Sequence, residues 1–212
     1  MEEFIQTILP PIAQGIMEAI SGQTLPDSDA ISEWDLEGKR KIYLDTDIGY
    51  NMMELHRLIL RWNIEDKDIS PEDRKPIWLY IMSYGGDLDY MWSLIDTIEM
   101  SKTPVYTVNI GVAASAASLI FLAGHKRFML PKSTLIIHEG SAQLAGDAVK
   151  VMDQSESYKQ QLKQMKDYIL EHTKIPRNQL MRKRSNDWFV DAKYCLENKA
   201  CDAIVATLDE II

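Results

Sequence analysis

The chain has 212 residues, with 23 Lys and Arg against 32 Asp and Glu and a formal charge of −9 at pH 7. Its 46% hydrophobic and 26% charged residues are typical of one globular domain, alone or with a short appendage, and exclude a collagen, a coiled coil or a disordered chain as the main architecture. Because the acidic excess repels phosphate backbones and anionic lipid, we expect neither a nucleic-acid nor a membrane partner.

The chain also lacks the sequence signals of export and of metal binding. Glu2 and Glu3 stand where a signal peptide would carry Lys or Arg, and the longest weakly polar run, 110–124, is shorter than the roughly 20 residues of a membrane span. Cys195 and Cys201 match no zinc or redox pattern. We therefore expect a cytoplasmic protein with no metal and no cofactor.

The first 40 residues differ from the rest of the chain. They are rich in turn formers and acids, with little periodicity after a single amphipathic stretch, and predict an arm or linker over 1–40. From Lys41 onward short β-type runs alternate with helical patterns, which is typical of an α/β fold with a parallel sheet and crossover helices. The predicted strands are 41–44, 77–83, 105–110, 127–130 and 134–138, with weaker ones at 188–190 and 203–206.

Two helices are predicted between and after these strands. Residues 87–101 have apolar side chains at helical spacing behind a possible N-cap, Asp87. A longer and strongly polar helix is predicted from Gly146 to His172, where the narrow apolar stripe is too long for one small domain to cover. Part of this helix should project and contact another copy of the chain; the stripe consists of Tyr158, Leu162, Met165 and Ile169.

Three strand ends carry residues that suggest chemistry. SYGGD at 83–87 lets the backbone turn sharply and lets a ligand approach the amide groups. GVAASAAS at 111–118 leaves Ser115 near a helix N-terminus with little bulk around it, as an attacking hydroxyl requires. His138 ends a buried strand, where active-site bases of open α/β sheets lie. A plain turn, a helix-capping serine and a structural histidine remain the alternatives.

Taken together, these segments resemble a known family. With KRFMLPKSTLIIH and NDWFVDAKYCLENKACDAIV they are similar, in order and spacing, to the proteolytic subunit of the caseinolytic protease, ClpP, over about residues 40–212. The resemblance implies a ClpP/crotonase-like α/β fold with a stacked parallel sheet over 41–212. It also implies a serine peptidase with Ser115 as nucleophile, His138 as general base and Asp187 as the acid.

The same resemblance assigns the surroundings of the nucleophile. The backbone amides of Gly86 and Ala116 would form the oxyanion hole. The substrate groove would include Gly85, Glu139 and Gly140, although Glu139 and Gly140 stand where the family has Gln and Pro.

Assembly and partners follow from the resemblance as well. The segment from about 140 to 172 corresponds to a handle through which two heptameric rings stack and enclose a chamber. Unfolded polypeptides would enter that chamber, threaded by a separate AAA+ ATPase, since this chain contains no ATPase of its own. Residues 1–40 and the insertion at 61–75 match the family poorly.

Other functions remain open at this point. A divergent or prophage-borne member could serve capsid maturation, and a noncatalytic ClpP-like scaffold could keep the fold without activity. A crotonase-fold acyl-CoA lyase or hydratase would use paired amides at the same places to stabilise an enolate. A Ser and Lys dyad would use Lys126 or Lys132 in place of His138.

Overall fold

The computed structural model describes residues 39–140, 143–183 and 186–212, so the predicted arm over 1–40 lies almost wholly outside the described residues. The chain divides into two units, Met1–Ile42 and Tyr43–Ile212. The second unit contains the elements below, apart from the first two residues of β1.

The described residues form an α/β fold, as predicted. The strands are β1 (Lys41–Leu44), β2 (Ile77–Ser83), β3 (Val105–Ala114), β4 (Lys126–Met129), β5 (Thr134–Ile137), β6 (Trp188–Asp191) and β7 (Ala203–Ile204). The helices are α1 (Met52–Glu65), α2 (Leu88–Glu99), α3 (Ala116–Leu122), α4 (Ala148–His172), α5 (Arg177–Lys183) and α6 (Ala192–Glu197), with short 3₁₀ turns at Pro71–Asp73 and Leu208–Glu210.

The sheet is mostly parallel and branches at β3. Its main order is β1-β2-β3-β4-β7, and β5 pairs with the carboxyl half of β3 on the flank where β4 pairs with the amino half. The buried side chain of Asn109 lies at the branch, where its amide donates to the Thr134 carbonyl at 3.0 Å and its oxygen accepts from the Gly111 amide at 3.1 Å. β6 closes this branch antiparallel to β5.

β3 is longer than predicted. The sequence indicated a strand over 105–110, but β3 continues to Ala114 because Val112, Ala113 and Ala114 pair in register with β5. Gly and Ala have low β-propensity, so this extension comes from pairing with a neighbour rather than from local sequence.

Both faces of the sheet are apolar, and each face is covered by other parts of the chain. In β2, Ile77, Leu79 and Ile81 are fully buried on one face, while Trp78 on the other face is only partly buried. The first face lies beneath the helical layer, where α3 packs on β2 and β3. The second face carries an apolar cluster that consists of Tyr80, Val108, Val205 and Ile211, with Trp78, Ile110, Phe128 and Leu130 packed against it.

α2 forms as its sequence predicts. The Asp87 side chain accepts hydrogen bonds from the Asp89 and Tyr90 amides, at 2.8 and 3.2 Å, and so caps the helix. The inward face buries Met91, Leu94, Ile95 and Ile98.

α4 has two unlike halves. Asp147 caps its N-terminus, and its buried residues Met165, Tyr168 and Ile169 all lie in the C-terminal half. The prediction that Met165 and Ile169 belong to an exposed stripe is therefore wrong: they pack inside the domain. The exposed apolar side chains of α4 are instead Val149 and Met152, which are 67% and 71% exposed.

The C-terminal half of α4 is also held by polar contacts. Tyr168 donates to the Glu99 carboxylate at 2.6 Å, and the His172 ring lies 3.1 Å from the same oxygen. Arg127 binds Asp202 through two guanidinium nitrogens and donates to the His172 carbonyl at 2.8 Å. This end is therefore fixed to both α2 and the sheet.

In the described part of the chain, no helix combines the length and the apolar character that a bilayer crossing requires.

His56 on α1 is a buried histidine held neutral. It is 6% exposed, and its Nδ1 lies 2.7 Å from the Thr97 hydroxyl oxygen. The Thr97 hydroxyl also lies 3.0 Å from the Ser93 carbonyl oxygen, and among the described residues Nε2 of His56 has no hydrogen-bond partner. Burial lowers the pKa of His56 below 6.5.

We predict that His56 makes the fold acid-sensitive. The unfolded chain protonates His56 near pH 6.5 and the folded chain only at lower pH, so the free energy of unfolding falls as the pH drops from about 6.5 to the folded pKa. The loss is about 1.4 kcal/mol for each unit between the two pKa values. In urea titrations from pH 8 to pH 5, His56→Gln should show a shallower pH dependence than the wild type. Equal slopes would contradict the prediction.

Candidate functional site

Three strand ends meet at one edge of the sheet. β2, β3 and β5 are parallel, so their carboxyl ends lie side by side, where ligand sites of open α/β sheets form. Gly85 and Gly86 follow β2, Ser115 follows β3 and His138 follows β5. The three segments singled out in the sequence therefore lie together.

Ser115 occupies a strained turn between β3 and α3. Its φ of 53° and ψ of −125° are rare for a residue with a side chain. The turn is held because the Ser115 amide donates to the Ile136 carbonyl at 2.9 Å, and the Ser118 hydroxyl donates to the Ser115 carbonyl at 2.6 Å. The Ser115 side chain makes no capping hydrogen bond. The helix-capping alternative is therefore wrong, and the hydroxyl is available at the sheet edge.

The double glycine passes directly beside Ser115. Gly85 has a φ of 103°, and a Cβ added there would lie 2.8 Å from the Ser115 Cβ and 3.1 Å from the Ala116 nitrogen. Gly86 has a φ of 149°, and its Cβ would lie 2.3 Å from the Ile48 carbonyl oxygen. Only glycine fits this close approach of backbone to backbone.

Two backbone amides at this place have no acceptor. Among the hydrogen bonds of the described residues, none uses the amide of Gly86 or of Ala116 as donor. Ala116 is the first residue of α3, where helix amides are unpaired and the helix dipole favours negative charge. This edge of the sheet can therefore stabilise an oxygen that acquires negative charge.

His138 and Asp187 are brought together by strand register. β5 and β6 are antiparallel with Ile137 opposite Trp188, so the residue after β5 faces the residue before β6. Nδ1 of His138 lies 3.4 Å from Oδ1 of Asp187, and the two side chains are 32% and 59% exposed. The structure contains no direct hydrogen bond between His138 and Ser115. Contacts of this kind often tighten only when substrate binds.

A mostly apolar hollow lies beside His138. Its apolar wall comes from Ile137, Leu162, Met165, Ile169 and Leu180, and its charged rim from Glu139, Lys166 and Lys183. Glu139 does not extend freely into a groove, because Lys166 binds its carboxylate at 2.7 Å. Gly140 has a φ of 74° and lies beside the Tyr158 hydroxyl.

The contacts from α4 to Glu139 were missed by the sequence analysis. Tyr158 and Lys166 are eight residues apart and lie on one face of α4 with Leu162. That spacing was visible, but nothing in it identified Glu139 as the partner.

The Ser and Lys dyad does not fit the register. Lys126 pairs opposite Tyr106, nine residues before Ser115, which places it roughly 30 Å away at about 3.3 Å per residue. Lys132 lies in the turn before β5, whose first residue, Thr134, pairs with Val112, roughly 10 Å from Ser115 by the same rise. A lysine side chain spans neither distance.

Within residues 39–140, 143–183 and 186–212, no cluster of three or more His, Cys, Asp or Glu could hold a metal ion.

The chain is similar to proteins of one known family. A family model described as Clp protease matches residues 35–207. The ATP-dependent Clp protease proteolytic subunit 2 of Treponema denticola is 32% identical over 173 residues, which cover 81% of this chain and 84% of that protein. The ATP-dependent Clp protease proteolytic subunit 1 of Streptomyces coelicolor is 32% identical over 178 residues, which cover 81% of this chain and 77% of that protein. The corresponding subunit 3 of Streptomyces avermitilis is 30% identical over 171 residues, which cover 74% of this chain and 78% of that protein.

We predict that Gly86→Ala destabilises the protein by about 2 to 4 kcal/mol, because the new Cβ would collide with the Ile48 backbone in a conformation that alanine rarely adopts. Gly49→Ala is the matched control, since its Cβ would meet nothing closer than 3.6 Å, and it should change stability by less than about 1 kcal/mol. Urea denaturation measures both. Wild-type stability in Gly86→Ala would contradict the close approach of Gly86 to Ile48.

Proposed function

Because the chain belongs to the Clp protease family, we propose that it is a serine endopeptidase that cleaves unfolded polypeptides, with Ser115 as nucleophile. The observation that carries the proposal is the Ser115 hydroxyl, which makes no capping hydrogen bond to α3. It is held in a strained strand-to-helix turn at the sheet edge where His138 and Asp187 also lie. A hydroxyl in this setting is accessible and is surrounded by small residues that leave space for an acyl group.

His138 is the general base in this proposal. Its Nδ1 faces Asp187, so a proton on Nδ1 leaves the Nε2 lone pair to accept the Ser115 proton. As Oγ of Ser115 bonds to the scissile carbonyl carbon, Nε2 takes the hydroxyl proton and then gives it to the leaving amine. Water, deprotonated by the same nitrogen, hydrolyses the acyl-enzyme and restores Ser115. Asp187 keeps the ring oriented and stabilises the imidazolium.

In this proposal, the backbone amides of Gly86 and Ala116 donate hydrogen bonds to the oxyanion that forms at the substrate carbonyl. A hydrogen-bond donor of this kind is typically worth roughly 3 to 4 kcal/mol of transition-state stabilisation. Gly85, Glu139 and Gly140 would lie along the groove that holds the substrate.

The proposed nucleophile can be tested by covalent labelling. A fluorescent peptidyl phosphonate should label the wild type at Ser115, as mapped by mass spectrometry, and should not label Ser115→Ala. Ser93→Ala, an exposed serine on α2, is the control and should label like the wild type. Label on Ser118 or Ser133 would overturn the assignment, and no label on any serine would favour the noncatalytic scaffold or the acyl-CoA lyase.

The other two members of the triad should behave as a unit with Ser115. His138→Ala and Asp187→Asn should each lower kcat/KM for peptide hydrolysis by at least about 100-fold, since removal of one member disables the others. Both variants should melt within a few degrees of the wild type, because the two side chains are partly exposed. Near-wild-type activity of Asp187→Asn would require a different third member.

We also propose that the chain works as a homo-oligomer of two stacked heptameric rings that enclose the sites. Exposed Val149 and Met152 on the half of α4 that carries no buried residue support a contact between copies. The relatives are named as subunits of an ATP-dependent protease, and this sequence contains no phosphate-binding loop. An AAA+ ATPase partner would therefore supply ATP hydrolysis and thread the substrate.

The assembly contact should depend on the exposed apolar side chains of α4. Val149→Glu with Met152→Glu should convert double rings to smaller species in sedimentation velocity, because like charges would face each other. Ser157→Glu, a charge added at an exposed polar position of the same helix, is the control and should keep the wild-type size. A wild-type monomer of 24.3 kDa at micromolar concentration would overturn the proposed assembly.

A further inference from the structure

The residue after the proposed general base is fixed to α4 at two atoms. Nζ of Lys166 lies 2.7 Å from Oε1 of Glu139, and the Tyr158 hydroxyl donates to the Glu139 carbonyl at 2.9 Å. One contact holds the side chain and the other holds the backbone. The Glu139 side chain therefore cannot rotate, and its backbone cannot move away, without breaking a contact to α4.

This ion pair is less exposed than the two ion pairs near the N-terminal end of α4. Its side chains are only 25% and 30% exposed, whereas those of Lys150–Asp147 and Lys159–Glu156 are more than 60% exposed. Exposed pairs contribute little, but removal of one partner from a half-buried pair leaves a desolvated charge behind. Burial and, to a smaller extent, the Glu139 charge raise the pKa of Tyr158, which keeps its hydroxyl protonated as a donor.

His138 needs support on this side. The β5–β6 ladder ends at Ile137, so His138 lies outside the strand pairing and meets Asp187 only through a contact of 3.4 Å. The next backbone group that the structure holds is the Glu139 carbonyl. The imidazole is thus placed between the strand pairing on one side and the contacts with α4 on the other.

We infer that Glu139 and Lys166 are positioning residues for the general base: their ion pair fixes the peptide that carries His138 against α4. The inference rests on the proposed function and adds to it the specific pair that aligns the base. Neither side chain touches the reacting atoms. A displacement of about 1 Å in a catalytic group can cost up to roughly 100-fold in rate.

The test compares variants that remove the charges with little change in shape. Glu139→Gln and Lys166→Met should each lower kcat for a peptide substrate by about 10-fold or more, with KM within about twofold, since the base is misplaced while the hollow stays apolar. The double variant should be no worse than either single one, because the two changes remove the same contact. Lys166→Arg, which keeps the charge, should recover part of the loss. Lys159→Met breaks an exposed pair on the same helix and is the control.

A second measurement does not depend on activity. Amide hydrogen exchange of residues 138–140 should accelerate in Glu139→Gln and Lys166→Met and stay unchanged in Lys159→Met. Unchanged exchange, or faster exchange with wild-type kcat, would overturn the positioning role. A wild type that neither labels nor hydrolyses peptides would overturn the proposed function instead, and the exchange data would still show whether the pair holds His138.

Discussion

The candidate site depends on the pairing of β3 on both flanks at its carboxyl end. Ala113 pairs with Ser83 of β2, and Ala114 pairs with Ile136 of β5, so the strand cannot relax where it ends. This rigid end can hold Ser115 at a positive φ, a conformation that costs of order 1 to 3 kcal/mol. The small residues around it follow from the same constraint, because the backbone at Gly85 approaches Ser115 too closely for any Cβ.

α4 has two structurally different halves that its uniformly polar sequence does not distinguish. Its C-terminal half packs through Met165 and Ile169 and is fixed to Glu99 of α2, while its N-terminal half exposes Val149 and Met152. The contacts to Glu139 come from Tyr158, near the middle of the helix, and from Lys166 in the C-terminal half. In the proposed oligomer, the same helix would therefore contact another copy and hold the loop after the general base.

Much of the fold could be predicted from local sequence. The alternation of short apolar runs with helical patterns predicted the α/β class, and the Asp87 cap predicted the start of α2. The Gly- and Ala-rich segments pointed to the strand ends that form the candidate site. These features depend on propensities and spacings within a few residues. For the same reason, Ser115 and His138 could be singled out before their surroundings were visible.

Other features depend on partners distant in the sequence. His138 and Asp187 are 49 residues apart and meet only through the antiparallel register of β5 and β6. The extension of β3, the burial of Met165 and the pairing of Lys166 with Glu139 were likewise decided by tertiary contacts. The sequence by itself determined which residue types stand at each strand end and on each helix face. Only the tertiary structure decided which of them touch. Strand register and packing depend on the simultaneous fit of segments that are distant in the sequence, and the residues of one segment do not specify its partner.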